Sequence, residues 1–103
     1  MTRSPKQDPR GGADTKDRVE PPRQYKVVLL NDDFTSMEFV VHVLTTVFHH
    51  GSAAATRIML SIHRGGSGVA GVYSLDVAET RADQVHRLAQ EAGYPLMAVV
   101  EPE

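Results

Sequence analysis

The stretch from Val27 to Val40 carries the densest chemistry in the chain. Four apolar residues, Val27 to Leu30, run into Asn31, Asp32 and Asp33, whose side chains are rich in acceptor oxygens. Thr35, Ser36, Met37, Glu38 and Phe39 follow, with the spacing of a helix start. Acceptors at the mouth of an apolar element can hold a small charged group beside a greasy one. Other chemistries fit less well. Asp32 and Asp33 are adjacent, and neighbours on a turn usually point apart; no nucleophile accompanies them for acid–base work. An apolar strand followed by acids also suits the magnesium side of a nucleotide hydrolase, but the chain has no G-x-x-x-x-G-K-[ST] to cradle phosphates. Five histidines, His42, His49, His50, His63 and His86, raise a metal site. None stands in an H-x-x-x-H or Cys/His spacing, so neither a metal nor a cofactor is expected. Gly66 to Gly71 matches G-x-G-x-x-G, yet a helix precedes it and a strand follows, the reverse of a dinucleotide fingerprint.

The elements that must position these residues follow from periodicity and breakers. Tyr25 to Leu30 is a strand, β-branched and short. Asn31 to Asp33 form a turn. Thr35 and Glu38 read as a capping box that opens a helix carrying Met37, Val40, Val41, Leu44, Val47 and Phe48 on one side. Gly51 ends it, with His49 and His50 in its last turn, where the dipole favours positive charge. Ser52 caps a second helix with Ala55, Ile58, Met59 and Ile62 as its apolar stripe, and Gly65 closes it. His63 lies one turn after Met59 and shares its side. A Gly-rich loop leads to a strand over 69–74. Thr80 and Asp83 start a third helix with Val85, Leu88, Ala89 and Ala92, and Gly93 stops it. Leu96 to Val100 is the last strand. The order β-α-α-β-α-β predicts an α/β fold, a small two-layer sandwich with helices packed on a three-stranded sheet. Strand order and direction do not follow from the pattern.

Composition bounds the rest. The 103 residues suit one small domain, and no cysteine is present, so disulfides and thiol catalysis are excluded. No run approaches the ~20 apolar residues of a membrane span, and no signal core opens the chain, so a cytoplasmic protein is expected. Residues 1–24 hold Pro5, Pro9, Gly11, Gly12, Pro21 and Pro22 with few apolar side chains, and read as a disordered extension; 25–103 form the domain. Six basic against four acidic side chains give the extension a net +2, and five against nine give the domain −4. An acidic domain is a poor nucleic-acid binder.

Taken singly, Asn31 to Asp33 are a turn, Met37, Val40, Met59 and Ile62 are core, and His63 is a surface histidine. Their grouping asks for more, since all converge if the two helices form a hairpin. Tyr25 to Thr35, with Met37 to Val40, closely resembles the ClpS adaptors of the bacterial N-degron pathway. Ala55 to His63, Gly71 to Tyr73, Val77 to Thr80, and Pro95-Leu96 resemble later landmarks of that family, in order and spacing, over about residues 22–101.

The resemblance implies a non-enzymatic adaptor. It would bind proteins whose first residue is Leu, Phe, Tyr or Trp and deliver them to a Clp ATPase–protease. Asn31, Asp33 and His63 would hold the free α-amino group, with Asp32 nearby through water. Thr35, Met37, Val40, Met59, Ile62 and Leu96 would line the side-chain pocket, with Met37 as a gate against β-branched residues. Asp76 and Arg81 would dock on the ATPase N-domain, of ClpA or ClpC type, and the segment before Pro21 would act in handover. A monomer is the simplest state. Phe34 stands where many relatives have Tyr, Ser36 where many have Pro, and Asp76 where Glu is common. Two rival readings are an interaction domain that docks on a ribosomal or ATPase partner without binding N-degrons, and a metal-dependent hydrolase using Asp32, Asp33 and His63.

Overall fold

The computed structural model describes residues 21–103. Three strands and three helices follow in the order expected: β1 (Tyr25–Leu30), α1 (Met37–Thr46), α2 (Ser52–Gly65), β2 (Ser67–Tyr73), α3 (Leu75–Ala92) and β3 (Met97–Pro102). Most of the expected extension, residues 1–20, lies outside the described residues. Residues 21–24 are exposed and irregular.

β1 is the central strand. It pairs antiparallel with β2 on one side and with β3 on the other, giving the order β2-β1-β3. Alternation then sorts its side chains. Val27 and Leu29, both fully buried, face the helices with Ala70 and Ala98, whereas Val28 lies outside that core, on the other face. The β1–β2 register shifts between Val27 and Val28, where Gly71 and then Val69 are the partners. Ala70 is thereby left out of the ladder as a bulge. Its carbonyl accepts a hydrogen bond at 2.5 Å from His50 Nε2, so that ring nitrogen carries the proton.

Several element ends differ from the sequence expectation, each for a physical reason. The N-cap of α1 is Ser36, whose hydroxyl accepts from the Phe39 amide at 3.1 Å. Thr35 stands one residue before the cap, and its hydroxyl donates to Asp32. Gly51 does not end α1. The helix stops at Thr46, Val47 and Phe48 turn into the core, and the left-handed position is His49, with φ 61°. His49 and His50 therefore lie beyond the last turn rather than in it. Gly51 is instead the N-cap of α2, and Ser52 is its first residue. α3 begins at Leu75, five residues before Thr80, because Ala78 is fully buried against the core and no breaker interrupts 75–80. Thr80 sits inside that helix and its hydroxyl donates to the Asp76 carbonyl at 2.9 Å. Gly93 stops α3 as expected, with φ 81° and paired bonds from the Gly93 and Tyr94 amides to Gln90 and Ala89 carbonyls. Ser67 and Gly68 belong to β2 rather than to a loop, and β3 begins one residue after Leu96.

The position of Gly68 has a consequence. A Cβ built there would stand 2.7 Å from Ile62 Cγ1, so α2 packs against bare backbone. Gly68→Ala should cost about 1–3 kcal/mol by overpacking. A urea melt would register the loss, and an unchanged midpoint would show that Ile62 moves aside freely.

Candidate functional site

β1 ends where two helices meet its tip. The Asn31 amide donates to the Gly66 carbonyl at 2.9 Å, and Gly66 is the left-handed cap of α2, with φ 90°. That single backbone bond ties the end of β1 to the end of α2 and so sets Asn31 to Asp33 beside His63. α1 and α2 pack together as a hairpin, which brings Met37 and Val40 opposite Met59 and Ile62. The result is a cleft of about 200 Å³ lined by Asn31, Asp32, Asp33, Thr35, Met37, Val40, Met59, Ile62 and His63. Drug-sized ligands need about 300–1,000 Å³, so this cleft suits a single side chain.

Its chemistry is divided. Val40, Met59 and Ile62 are buried and form the apolar wall, and Met37 stands at the mouth, 42% exposed. Asn31, Asp33 and His63 are exposed polar groups at the rim. Among the described residues none of these three side chains has a hydrogen-bond partner, so their acceptor capacity is open to a ligand. Asp32 is different. Its Oδ1 accepts from the Phe34 amide at 2.8 Å and the Thr35 amide at 2.7 Å, and its Oδ2 accepts from the Thr35 hydroxyl at 2.7 Å. Those bonds make an Asx turn that fixes the loop between β1 and α1. Adjacent carboxylates thus have separate tasks, one spent on the turn and one left at the rim.

Partial burial of Asp32 works to raise its pKa. The Thr35 hydroxyl and the Phe34 and Thr35 amides outweigh that and hold the carboxyl below the ordinary 3.8. A depressed folded value means that its stabilisation is complete above 3.8 and is lost as pH falls through the folded value. Asp32→Asn keeps an oxygen for the two amides but no charge. The gap in melting temperature between wild type and Asp32→Asn should therefore be widest above pH 3.8 and close below it. A gap that stays constant into acid would remove the carboxylate charge from the turn's stability.

The remaining expected residues lie elsewhere. Leu96 does not line the cleft; it is 3% exposed and belongs to the core, and the residues around it border a separate hollow beside Tyr94 and Pro95. Alternation after Gly93 could not reveal this, because Leu96 precedes the strand. Asp76 is exposed in the first turn of α3. Arg81 is half-buried, with its guanidinium 5.9 Å from the Tyr73 ring centroid and Nη1 donating to Gln84 Oε1 at 3.3 Å. It lines a second hollow of about 400 Å³ between α1 and α3, with His49, Gln84, Arg87 and Glu91. Five positions apart on one helix, Asp76 and Arg81 point in directions some 140° apart. Among the described residues no three His, Asp or Glu side chains form a group that could hold a metal ion. No described helix is long and apolar enough to cross a membrane.

Residue types showed only a grouping, and the full set of site residues was implied by the family resemblance; neither showed the backbone support. Gly66, whose carbonyl anchors Asn31, and Ser36, which caps α1, carry no signal beyond their identities as turn and cap formers.

The family profile described as ATP-dependent Clp protease adaptor protein ClpS matches residues 20–99. The chain belongs to the ClpS family. It is 56% identical over 82 residues to the ATP-dependent Clp protease adapter protein ClpS of Acetivibrio thermocellus, spanning 80% of this chain and 83% of that one. With the ClpS of Leptothrix cholodnii the identity is 57% over 84 residues, 82% of this chain and 73% of the relative. Among solved structures, Agrobacterium tumefaciens ClpS2 bound to L-phenylalaninamide superposes with a TM-score of 0.77 at 48% identity, covering 81% of this chain and all of that one. ClpS membership makes the chain an adaptor of the Clp protease system. The shared span includes every element that builds the cleft, from β1 through α2.

Proposed function

We propose that this chain recognises proteins by a free N-terminal amino group joined to a bulky apolar first side chain (Leu, Phe, Tyr or Trp) and delivers them to a Clp ATPase–protease without doing chemistry itself. One observation carries the reading: one cleft joins rim acceptors that have no partner among the described residues to an apolar wall sized for one side chain. The ligand of the Agrobacterium relative, L-phenylalaninamide, has the same two features, a free α-amine and a phenyl side chain.

The physics requires both halves. An N-terminal ammonium presents three N–H donors, and Asn31 Oδ1, the Asp33 carboxylate and a neutral His63 ring nitrogen offer acceptors around one cleft. Each charge-assisted bond is worth about 1.5–3 kcal/mol. Burial of a Leu or Phe side chain adds about 1.5–3 kcal/mol. Association costs about 4–15 kcal/mol, more than side-chain burial alone returns, so binding needs the amine contacts as well. Asp32 acts by holding the turn. Two methionines, Met37 and Met59, let the pocket fit aromatic and aliphatic guests, because the thioether chain is flexible and polarisable. The partner is the N-domain of a ClpA- or ClpC-type ATPase, met by the α3 surface around Asp76 and Arg81, with the adaptor acting as a monomer.

The test is a peptide array that varies only the first residue. Leu, Phe, Tyr and Trp peptides should bind, and Val and Ile peptides should bind poorly because a methyl on Cβ meets Met37 at the mouth. Met37→Ala should then improve Val and Ile binding about tenfold, the scale of relieving a clash of about 1–3 kcal/mol. A variant that still excluded them in a fluorescence titration would defeat the gate. An array without first-residue preference would defeat the adaptor reading and favour the docking domain that binds no N-degron.

A further inference from the structure

The chain has no cysteine, so methionine carries its only sulfur. Among the described residues three methionines stand in three different settings. Met59 is 8% exposed and packs into the core at the cleft wall. Met97 is 50% exposed at the start of β3 and lines the separate hollow beside Tyr94 and Pro95. Met37, the first residue of α1, is 42% exposed and lines the cleft. Of the three, it alone combines access from solvent with a place at the mouth of the ligand site. A thioether in water is open to attack by hydrogen peroxide. The sulfur lone pair takes a peroxide oxygen, an S–O bond forms as the O–O bond breaks, and the departing hydroxide picks up a proton to become water. Sulfur gives up two electrons and the peroxide is reduced by them, leaving methionine sulfoxide.

We infer that Met37 is a peroxide-sensitive modification site, and that its conversion to the sulfoxide closes the cleft to its ligand. The inference rests on the reading of this cleft as the pocket for a bulky first side chain. In the free protein the new oxygen has water beside it, because the side chain is exposed at the mouth. Met37 also stands at the N-terminal end of α1, where the helix dipole favours a negative partial charge, so the fold is kept. Binding changes that balance. A seated Leu or Phe side chain covers the mouth and displaces the water, yet offers the sulfoxide oxygen no donor. The Thr35 hydroxyl, another group of the cleft, is already given to Asp32 and cannot replace it. A polar group buried without a hydrogen bond counts against the complex and not against the free protein. Oxidation also exchanges a flexible apolar chain, suited to guests of different shape, for a polar and chiral one. Met59 gives no such response at low dose, since its sulfur is shut into the core. The relation runs both ways: a ligand that covers the mouth shields Met37 from peroxide.

The experiment treats the full-length protein with hydrogen peroxide, follows each methionine by mass spectrometry, and titrates a labelled peptide that begins with Phe together with its acetylated twin. Met37 and Met97 should oxidise before Met59. Affinity for the free-amine peptide should fall about tenfold as the Met37 sulfoxide accumulates, the scale of one polar group buried unpaired. It should return after treatment with methionine sulfoxide reductases for both epimers. Met97→Leu should lose affinity on oxidation as the wild type does, whereas Met37→Leu should bind equally before and after treatment. Saturating Phe peptide should slow oxidation of Met37 and leave that of Met97 unchanged. Circular dichroism should show the oxidised protein folded. Affinity that is unchanged or higher at full Met37 oxidation, an equal loss in Met37→Leu, an unfolded product, or a Met37 that the peptide does not shield would overturn the modification site, while the untreated protein still prefers the free amine to its acetylated twin. An untreated protein without that preference would overturn the reading of the cleft and this site with it.

Discussion

Asp33→Ala should lower affinity for a peptide beginning with Phe by about 10- to 150-fold, the equivalent of one charge-assisted hydrogen bond of about 1.5–3 kcal/mol. The same change should alter stability by no more than about 0.5 kcal/mol, because Asp33 is exposed and supports no turn. Asp32→Ala is the informative contrast. It removes three bonds that hold the entry to α1 and should lower the melting temperature. Isothermal calorimetry on one side and thermal melts on the other separate the two carboxylates. If Asp33→Ala bound as tightly as the wild type, the rim carboxylate would have no part in gripping the amine.

Leu29→Ala should be the most destabilising single change in the domain. Leu29 is fully buried on the central strand, flanked by Gly68 of β2 and Ala98 of β3, small partners that cannot fill the space it leaves. Loss of a buried leucine costs about 2–5 kcal/mol. A domain of this size has a total of about 5–15 kcal/mol, so a large part of its stability would go. The melting temperature should fall by about 10 °C or more. A fall of only a few degrees would mean that the helices close over the cavity. Leu29 also stands two residues before Asn31, so the strand that anchors the core is the strand that aims the first acceptor at the cleft.

The order of strands and helices was readable in the sequence because Gly93, the Gly65-Gly66 pair and the turn at Asn31 interrupt clean periodicities. Strand order was not, because pairing of β1 with both neighbours is a contact between distant residues that no local pattern encodes. The start of α3 was misplaced because a Thr-x-x-Asp pattern is a local signal, whereas burial of Ala78 is a tertiary one and stronger. Gly51 was an ordinary candidate for the end of α1, but packing of Val47 and Phe48 ended the helix earlier and left the unusual backbone to His49. Nine of the residues that the ClpS resemblance implied at the site line one cleft; residue types alone showed acceptors after β1 and an apolar stripe on each helix, and left their convergence open. Leu96 was expected there and lies in the core instead. The bond from Asn31 to Gly66 that assembles the cleft joins backbone atoms and so left no mark in the residue types.

The central claim is that the rim acceptors and the apolar wall act on one ligand at once. Its most direct measurement compares two peptides identical in sequence and beginning with Phe, one with a free amine and one acetylated. Acetylation removes the charge and two of the three donors while leaving the side chain untouched. The free peptide should bind at least about 100-fold more tightly, since several charge-assisted bonds are lost together. Equal affinity for the two would show that the cleft holds the side chain alone, and would contradict the account.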